Sequence, residues 1–311
     1  MVFMTSTTSP AFQPLTGLYE PSAIQQLPDG RFLVVEDEKA YPFSLLTLRA
    51  NGTASSESLG PGWFQGSAPV WNLDDLEGLA LDSLGYLYAV TSHSRNSKGE
   101  EKKAREQLAR FRMVDDHLRE PVVVGGLKPA LAAAHPVLAA AAKVIDVSSG
   151  QALSIEALDM APDGQGLLIG FRSPLLDGLA LIASIDNPTA IFEADAPPQI
   201  GSLLQTLDLG GQGIRGMAYI ADLQGYLLIG GAASRMQQAE FSLWFWSGQP
   251  KASVRRVTVP GLQGLANAEG ISPALINGKA HVLIVSDEGN RKKGQYARFV
   301  LLNIEQLKIA D

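Results

Sequence analysis

Four glutamates recur at one phase of the 311-residue chain, each opening a short apolar segment, and an arginine takes the fifth instance. The openings read Glu20-Pro-Ser-Ala-Ile24, Glu77-Gly-Leu-Ala-Leu81, Glu156-Ala-Leu-Asp-Met160, Arg215-Gly-Met-Ala-Tyr219 and Glu269-Gly-Ile-Ser-Pro273. A single carboxylate at a strand start commonly does no more than accept bonds from nearby backbone N–H groups. A ring of them is different, because two carboxylates about 5 Å apart at an effective dielectric of about 20 repel by roughly 3 kcal/mol. Such a ring needs protons, cationic side chains or a metal. The chain has no cysteine, so thiolate sites, iron–sulfur clusters, disulfides and cysteine nucleophiles are excluded. Oxygen ligands suit hard cations, and Ca²⁺ is the leading expectation, ahead of Mg²⁺ or Mn²⁺. The expected ligands are Glu20, Glu77, Glu156 and Glu269, supplemented by Asp37, Asp287 and Asn290. The competing reading is a metal-free lattice of Glu–Arg pairs that binds a polar ligand.

The elements that must position these residues also repeat. Each opening reaches a turn glycine eight to ten residues on, at Gly30, Gly85, Gly164, Gly225 and Gly278. Two of the turns read Pro-Asp-Gly, a sequence suited to tight reversal. An apolar second strand follows each time, as in Phe32–Val35, Tyr86–Val90 and Val282–Val285. Third strands are expected at Phe43–Arg49, Gln107–Met113, Leu179–Ile185, Phe241–Trp246 and Ala297–Ile304. Fourth strands are expected at Thr53–Leu59, Pro121–Gly125, Leu203–Leu209 and Val254–Val259. The last unit runs out of chain, so its fourth strand is expected from Val2–Leu18. Four-stranded antiparallel units around an axis make an all-β propeller, here of five blades in a single domain spanning residues 1–311. The unit starts lie 57, 79, 59 and 54 residues apart, so the second interval carries an insertion. That insertion, about residues 127–146, reads as helical over Leu127–Ile145, and Pro136 splits it in two. A sixth, degenerate blade within it is the alternative.

In such a blade the first strand starts at one face, and the second returns to the same face. Residues at strand-one starts therefore meet those that follow strand two: Glu36-Asp37-Glu38, the 91–96 loop, Arg172-Ser173 and the 286–291 loop. His93 is the histidine of these loops and the candidate for proton transfer. Asp37 is an alternative acidic group, and Arg172, Arg215 and Arg291 are candidates to stabilise developing negative charge. Trp63, Phe64 and Trp71 lie in the Gly/Pro-rich connection to the second blade and are candidates to wall a pocket. Lys98–Leu108 alternates acids and bases and reads as a solvated loop. Gly211-Gln-Gly213-Ile-Arg-Gly216 has the letters of a dinucleotide fingerprint but leads into a strand, not a helix. His117 and His135 read as surface residues, and Asn51-Gly-Thr53 as a turn.

Composition bounds the partners. A formal charge of −7 is the wrong balance for a phosphate-backbone binder, and 46% hydrophobic residues is a globular value. No apolar run is long enough to span a membrane, and the N-terminus shows no signal-peptide pattern. The expectation is a cytoplasmic monomer or small homo-oligomer acting on a small molecule, or a periplasmic one if a leader is removed.

The Glu-Gly-(Leu/Ile) openings at Glu77 and Glu269, backed by aspartate-bearing loops, resemble the calcium-dependent propellers of the gluconolactonase, regucalcin and organophosphatase group. Over nearly its full length the chain more closely resembles an uncharacterised bacterial propeller family. The carriers are Leu33-Val-Val-Glu-Asp-Glu38, Asp75-Leu-Glu-Gly-Leu79, Ala89-Val-Thr-Ser-His-Ser-Arg95, Ile169-Gly-Phe-Arg-Ser-Pro174 and Val285-Ser-Asp-Glu-Gly-Asn290. The calcium propellers use a mixed Glu/Asn/Asp set in six blades, whereas Glu recurs here in five. The expected function is a metal-assisted hydrolase of an ester, lactone or phosphoester, with a metal polarising the scissile group. A glycosidase and a non-catalytic ligand-binding or scaffold propeller are the alternatives.

Overall fold

The computed structural model describes residues 9–37, 40, 42–49, 52–61, 68–234, 236–237, 240–265 and 267–311. Trp63, Phe64, Glu38 and Asn51 lie outside the described residues. The chain forms a five-bladed β-propeller whose blades are five antiparallel sheets. Blade I comprises Pro21–Gln26, Phe32–Glu36, Phe43–Leu48 and Ala54–Ser58. Blade II comprises Leu76–Leu81, Leu87–Thr91, Leu108–Val114 and His117–Val124. Blade III comprises Ser154–Met160, Leu167–Leu176, Leu179–Ile185 and Gln205–Leu207. Blade IV is Gly213–Ile220, Gly225–Gly231, Ser242–Trp246 and Arg255–Thr258, and blade V is Ala268–Ile276, Lys279–Ser286 and Arg298–Asn303.

The N-terminal segment closes the ring, and the C-terminal one joins a neighbouring blade. Gln13–Pro14 pairs with the third strand of blade V, Gln13 opposite Phe299, and so supplies the missing fourth strand from within the expected segment. Lys308–Ile309 adds a fifth strand to blade IV, with Val257 opposite Ile309, which the repeat did not predict. The insertion forms two short helices, Leu127–Ala134 and Pro136–Ala141, and no sixth blade. A third helix, Pro188–Ala194, was not anticipated. No helix among the described residues is long and apolar enough to cross a membrane.

The core is divided into five clusters, one between each pair of neighbouring blades. The second strand of each blade is buried on both faces, as Phe32–Glu36 and Leu87–Thr91 illustrate. This explains their continuous apolar run: each side chain faces one adjoining blade or the other. Burying a Val, Leu or Phe this way is worth roughly 1.5–3 kcal/mol. Around the axis the inner strands approach closely. A Cβ on Gly216 would strike the Glu269 carbonyl, and one on Gly78 would come within 2.9 Å of the Leu158 nitrogen, which explains glycine after the charged residue. Gly225 is not the reversal in its hairpin: Gln224 takes the left-handed conformation there (φ 53°).

Candidate active site at the channel mouth

The strand pairings correct the charged column by two residues in blade I. Each inner strand breaks register at one residue, and those residues are Ser22, Glu77, Glu156, Arg215 and Glu269. An unpaired residue in a bulge is re-aimed out of the pleat, here towards the axis. Ser22, not Glu20, is therefore blade I's member of the ring, and it lines the cavity whereas Glu20 does not. Glu20 shares the alternation phase but stands two residues before the strand's bulge, outside the ring.

The ring floors a cavity of about 490 Å³. Beneath it Ile24, Leu79, Leu158, Met217 and Ile271 fill the axis and leave only about 10 Å³, so the site is a closed funnel and not a through-channel. Among the described residues seven acidic and five basic side chains line the funnel. Every base is paired. Glu156 receives Arg172 Nη1 at 2.8 Å, and Arg215 Nη1 lies 2.7 Å from its other oxygen, an ion pair whose angle falls short of a hydrogen bond. Arg215 also binds Glu269. Arg105 contacts Asp75 at 2.7 Å and Asp74 at 3.3 Å, while Arg95 and Lys102 pair with Glu101 and Glu100 outside the cavity. That leaves Asp37, Glu77 and Asp287 with no cationic partner among the described residues.

The spare carboxyls carry raised pKa values. Burial and the charges of Asp75, Glu156, Glu269 and Asp37 push Glu77 well above the ordinary carboxylate range. Asp37 is raised to about 9 by loss of solvent, the Asp75 charge and a carboxyl–carboxyl hydrogen bond to Asp75. Asp37 is nonetheless an exposed residue, so water screens it and the direction of the shift rests on the neighbouring Asp75 charge. Burial and Glu20 raise Asp287 to about 6. Glu269 is raised to about 7, burial outweighing Arg215. Burial works against the charge of Arg215, but Glu156, Glu269 and Glu77 together hold its pKa above the ordinary guanidinium value.

Asp75 is the best-anchored acid of the funnel. It accepts hydrogen bonds from the Ser92 and Ser94 hydroxyls besides its Arg105 contact, and it sits in the left-handed region (φ 64°) immediately before its strand. Arg105 comes from the Lys98–Leu108 run, whose charged residues up to Lys103 are exposed as expected, while the short turn at Lys103–Arg105 brings Arg105 into the cavity lining. Its place was not readable from alternating charge, though two aspartates at 74–75 opposite a basic loop were a usable signal.

Other expected site residues are placed elsewhere. His93 is fully buried and does not line the cavity; its Nδ1 lies 2.8 Å from the Thr91 carbonyl, Nε2 has no partner, and burial lowers its pKa to about 4. Arg291 stacks over Tyr19 at 4.2 Å and reaches Glu36 at 3.5 Å. Glu36 is completely buried and also accepts from the Tyr19 and Glu20 backbone N–H groups, so the pair fixes the entry to blade I. Asn290 caps the turn at Arg291–Lys293. Trp71 packs edge-on against Phe43 between blades I and II, away from the cavity. His135 is buried and bonded to the Gly201 carbonyl, not at the surface.

These contacts do not fit the expected calcium site. Glu156 and Glu269 are engaged by guanidinium groups, and among the described residues no three acidic or imidazole side chains converge as a ligand set. The competing Glu–Arg lattice describes blades III to V.

No family model and no curated protein matches the chain. Solved structures similar to it include the PQQ-bound aldose sugar dehydrogenase of Streptomyces coelicolor, 15% identical over 94% of this chain and 98% of that one, with TM-score 0.42. The PQQ domain of Coprinopsis cinerea pyranose dehydrogenase is 9% identical over 94% and 95%, with TM-score 0.45. A Trypanosoma rangeli sialidase is 9% identical over 96% of this chain and 57% of that one, with TM-score 0.44. At these identities and scores the likenesses carry no argument about chemistry.

Proposed function

We propose that the funnel is the active site of a hydrolase that cleaves an ester, lactone or glycoside of a small polar molecule by carboxyl acid–base chemistry. The observation that carries this reading is the Asp37–Asp75 pair: two neighbouring carboxyls, in unlike surroundings, that both line a closed-floored cavity. Like charges this close do not both ionise readily, and the raised pKa of Asp37 keeps its proton in place. Asp75, with Arg105 and two serine hydroxyls as donors, is the base and Asp37 the acid. A water O–H bond breaks as its oxygen bonds to the scissile carbon, and that proton passes to Asp75. The Asp37 proton goes to the substrate oxygen whose bond to carbon breaks, and transfer from Asp75 to Asp37 restores the pair. Arg172, held by Glu156 on the funnel wall, faces negative charge that develops on the substrate.

A phosphoester, part of the original expectation, fits less well. Every arginine of the funnel already has a carboxylate partner, and spare carboxyls repel a dianion. The test is turnover of p-nitrophenyl esters, lactones and p-nitrophenyl glycosides by wild type and by Asp37→Asn. Loss of one acid–base group lowers the rate by about 10²–10⁴-fold. Turnover that survives Asp37→Asn and Asp75→Asn overturns the assignment. Absence of turnover across the panel, with ligand-dependent stabilisation, favours a binding propeller.

A further inference from the structure

The ring is not uniform, and its gap specifies what occupies it. On blades III, IV and V the members Glu156, Arg215 and Glu269 form a continuous chain of ion pairs. On blades I and II the members are Ser22 and Glu77, and neither has a hydrogen-bond or ion-pair partner among the described residues. Ser22 is 5% exposed, and the surface it retains belongs to the cavity. That hydroxyl therefore takes its hydrogen bonds from whatever fills the cavity. Beside it stands Glu77, half-buried and also without a partner among the described residues, and every basic side chain lining the cavity is already engaged. What this arc lacks is a donor bearing positive charge.

We infer that the Ser22–Glu77 arc is a subsite for an organic ammonium group, so that the substrate of the funnel carries a protonated amine. This rests on the cavity being the substrate site and goes beyond it by naming the substrate's charge. An ammonium offers several N–H donors from one compact centre, enough for Glu77 and the Ser22 oxygen together, and its charge favours the ionised form of Glu77. A bare divalent ion would need several oxygens at one point, and among the described residues no three acidic or imidazole side chains converge. Asp287 adds to the funnel lining a further carboxyl with no ion pair among the described residues and disfavours an anionic ligand.

The experiment compares matched ligands that differ only in the amine: glucosamine against glucose, and ethanolamine against ethylene glycol. Binding is read by calorimetry and by melting temperature on wild type, Glu77→Gln and Ser22→Ala. The expected result is at least about ten-fold tighter binding of each amine than of its neutral partner. Glu77→Gln abolishes that preference, and Ser22→Ala weakens amine binding several-fold. Glu77→Gln is isosteric and removes like-charge repulsion, so it folds; its unligated melt verifies this. Equal binding of amine and neutral partner overturns the inference, as does an amine preference that survives Glu77→Gln. Calcium that competes with glucosamine and binds more tightly overturns it in favour of a metal. Amine binding without turnover leaves the inference standing and defeats the hydrolase reading. Turnover of neutral substrates with no amine preference does the reverse.

Discussion

The two arcs of the ring use the same residue type at the same structural position for opposite ends. Glu77, Glu156 and Glu269 each occupy the bulge of an inner strand and point at one axis. Glu156 and Glu269 are joined through Arg215 into a buried ionic chain that ties blade III to blade V across blade IV. Glu77 is left facing Asp75, Asp37 and two further glutamates with no cation of its own. The difference comes from neighbours and not from the residue. Glu156 has two guanidinium partners and Glu269 one, whereas Glu77 stands beside a bare hydroxyl. The apparent four-fold repetition thus contains two carboxyls joined through one arginine, one without a cation among the described residues, and Glu20 outside the ring.

Breaking the paired arc has the largest expected effect. Arg215→Met leaves Glu156 and Glu269, whose side chains are only 4% and 9% exposed, without their shared cation. Removing one partner of a buried ion pair costs about 3–5 kcal/mol, read as a lowered urea midpoint. A loss below about 1 kcal/mol would mean that the chain of pairs does not fasten the blades.

The open arc should respond in the opposite sense. In the unfolded chain Glu77 titrates at an ordinary value near 4.5, and in the fold its pKa lies well above that. As pH rises past about 4.5 the unfolded state releases this proton first, so the folded protein loses relative stability. Glu77→Gln removes that loss. The variant should melt close to wild type at pH 4 and above it at pH 8, while its amine binding disappears. Asp287, raised from 3.8 to about 6, contributes a loss of the same sign that is complete above pH 6. His93, lowered from 6.5 to about 4, acts in reverse, adding stability as pH rises between those values, so the comparison must be between variant and wild type. A Glu77→Gln protein that melts below wild type at pH 8 would place Glu77 with the fasteners.

Calcium sharpens the same contrast. For the paired arc to bind it, Arg215 must be displaced, so added Ca²⁺ or chelator is expected to leave the melt unchanged. A hundred-fold excess over Kd at a real site would add about 2.7 kcal/mol, and a rise of that size reversed by chelator would show the glutamates acting as ligands.

Much of the architecture was legible because a propeller repeats its turn chemistry and its apolar second strand in every blade. The five hairpins, the strand supplied by the N-terminus and the proline-split helices all follow from patterns a few residues long. The hidden features depend on contacts between distant segments. Arg105 reads as solvated because its partners Asp74 and Asp75 lie some thirty residues away on another edge of the blade. His93 reads as a channel group because its loop reaches the mouth, yet its ring turns inward beneath the loop. The C-terminal strand is two residues long and has no repeat to announce it. The ring phase in blade I was misread for a physical reason as well: a bulge shifts which residue points inward, and a matching glutamate two positions earlier hid the shift.

That displacement makes the smallest predicted effect informative. Glu20 lies outside the cavity lining, has no ion pair among the described residues, and acts on the site through its charge on Asp37 and Asp287. Glu20→Gln should therefore change stability by no more than about 0.5 kcal/mol, the ordinary range for a substitution away from such features. Its direction should be a slight gain above pH 6, because removing one negative charge eases ionisation of Asp287. Amine binding should weaken by less than two- to three-fold, since the contacts of Ser22 and Glu77 are untouched. If Glu20→Gln matched Glu77→Gln in abolishing amine binding, blade I would present Glu20 and not Ser22 to the axis. The open arc would then hold two carboxylates in place of a carboxylate and a hydroxyl, a composition closer to the calcium ligand set first expected.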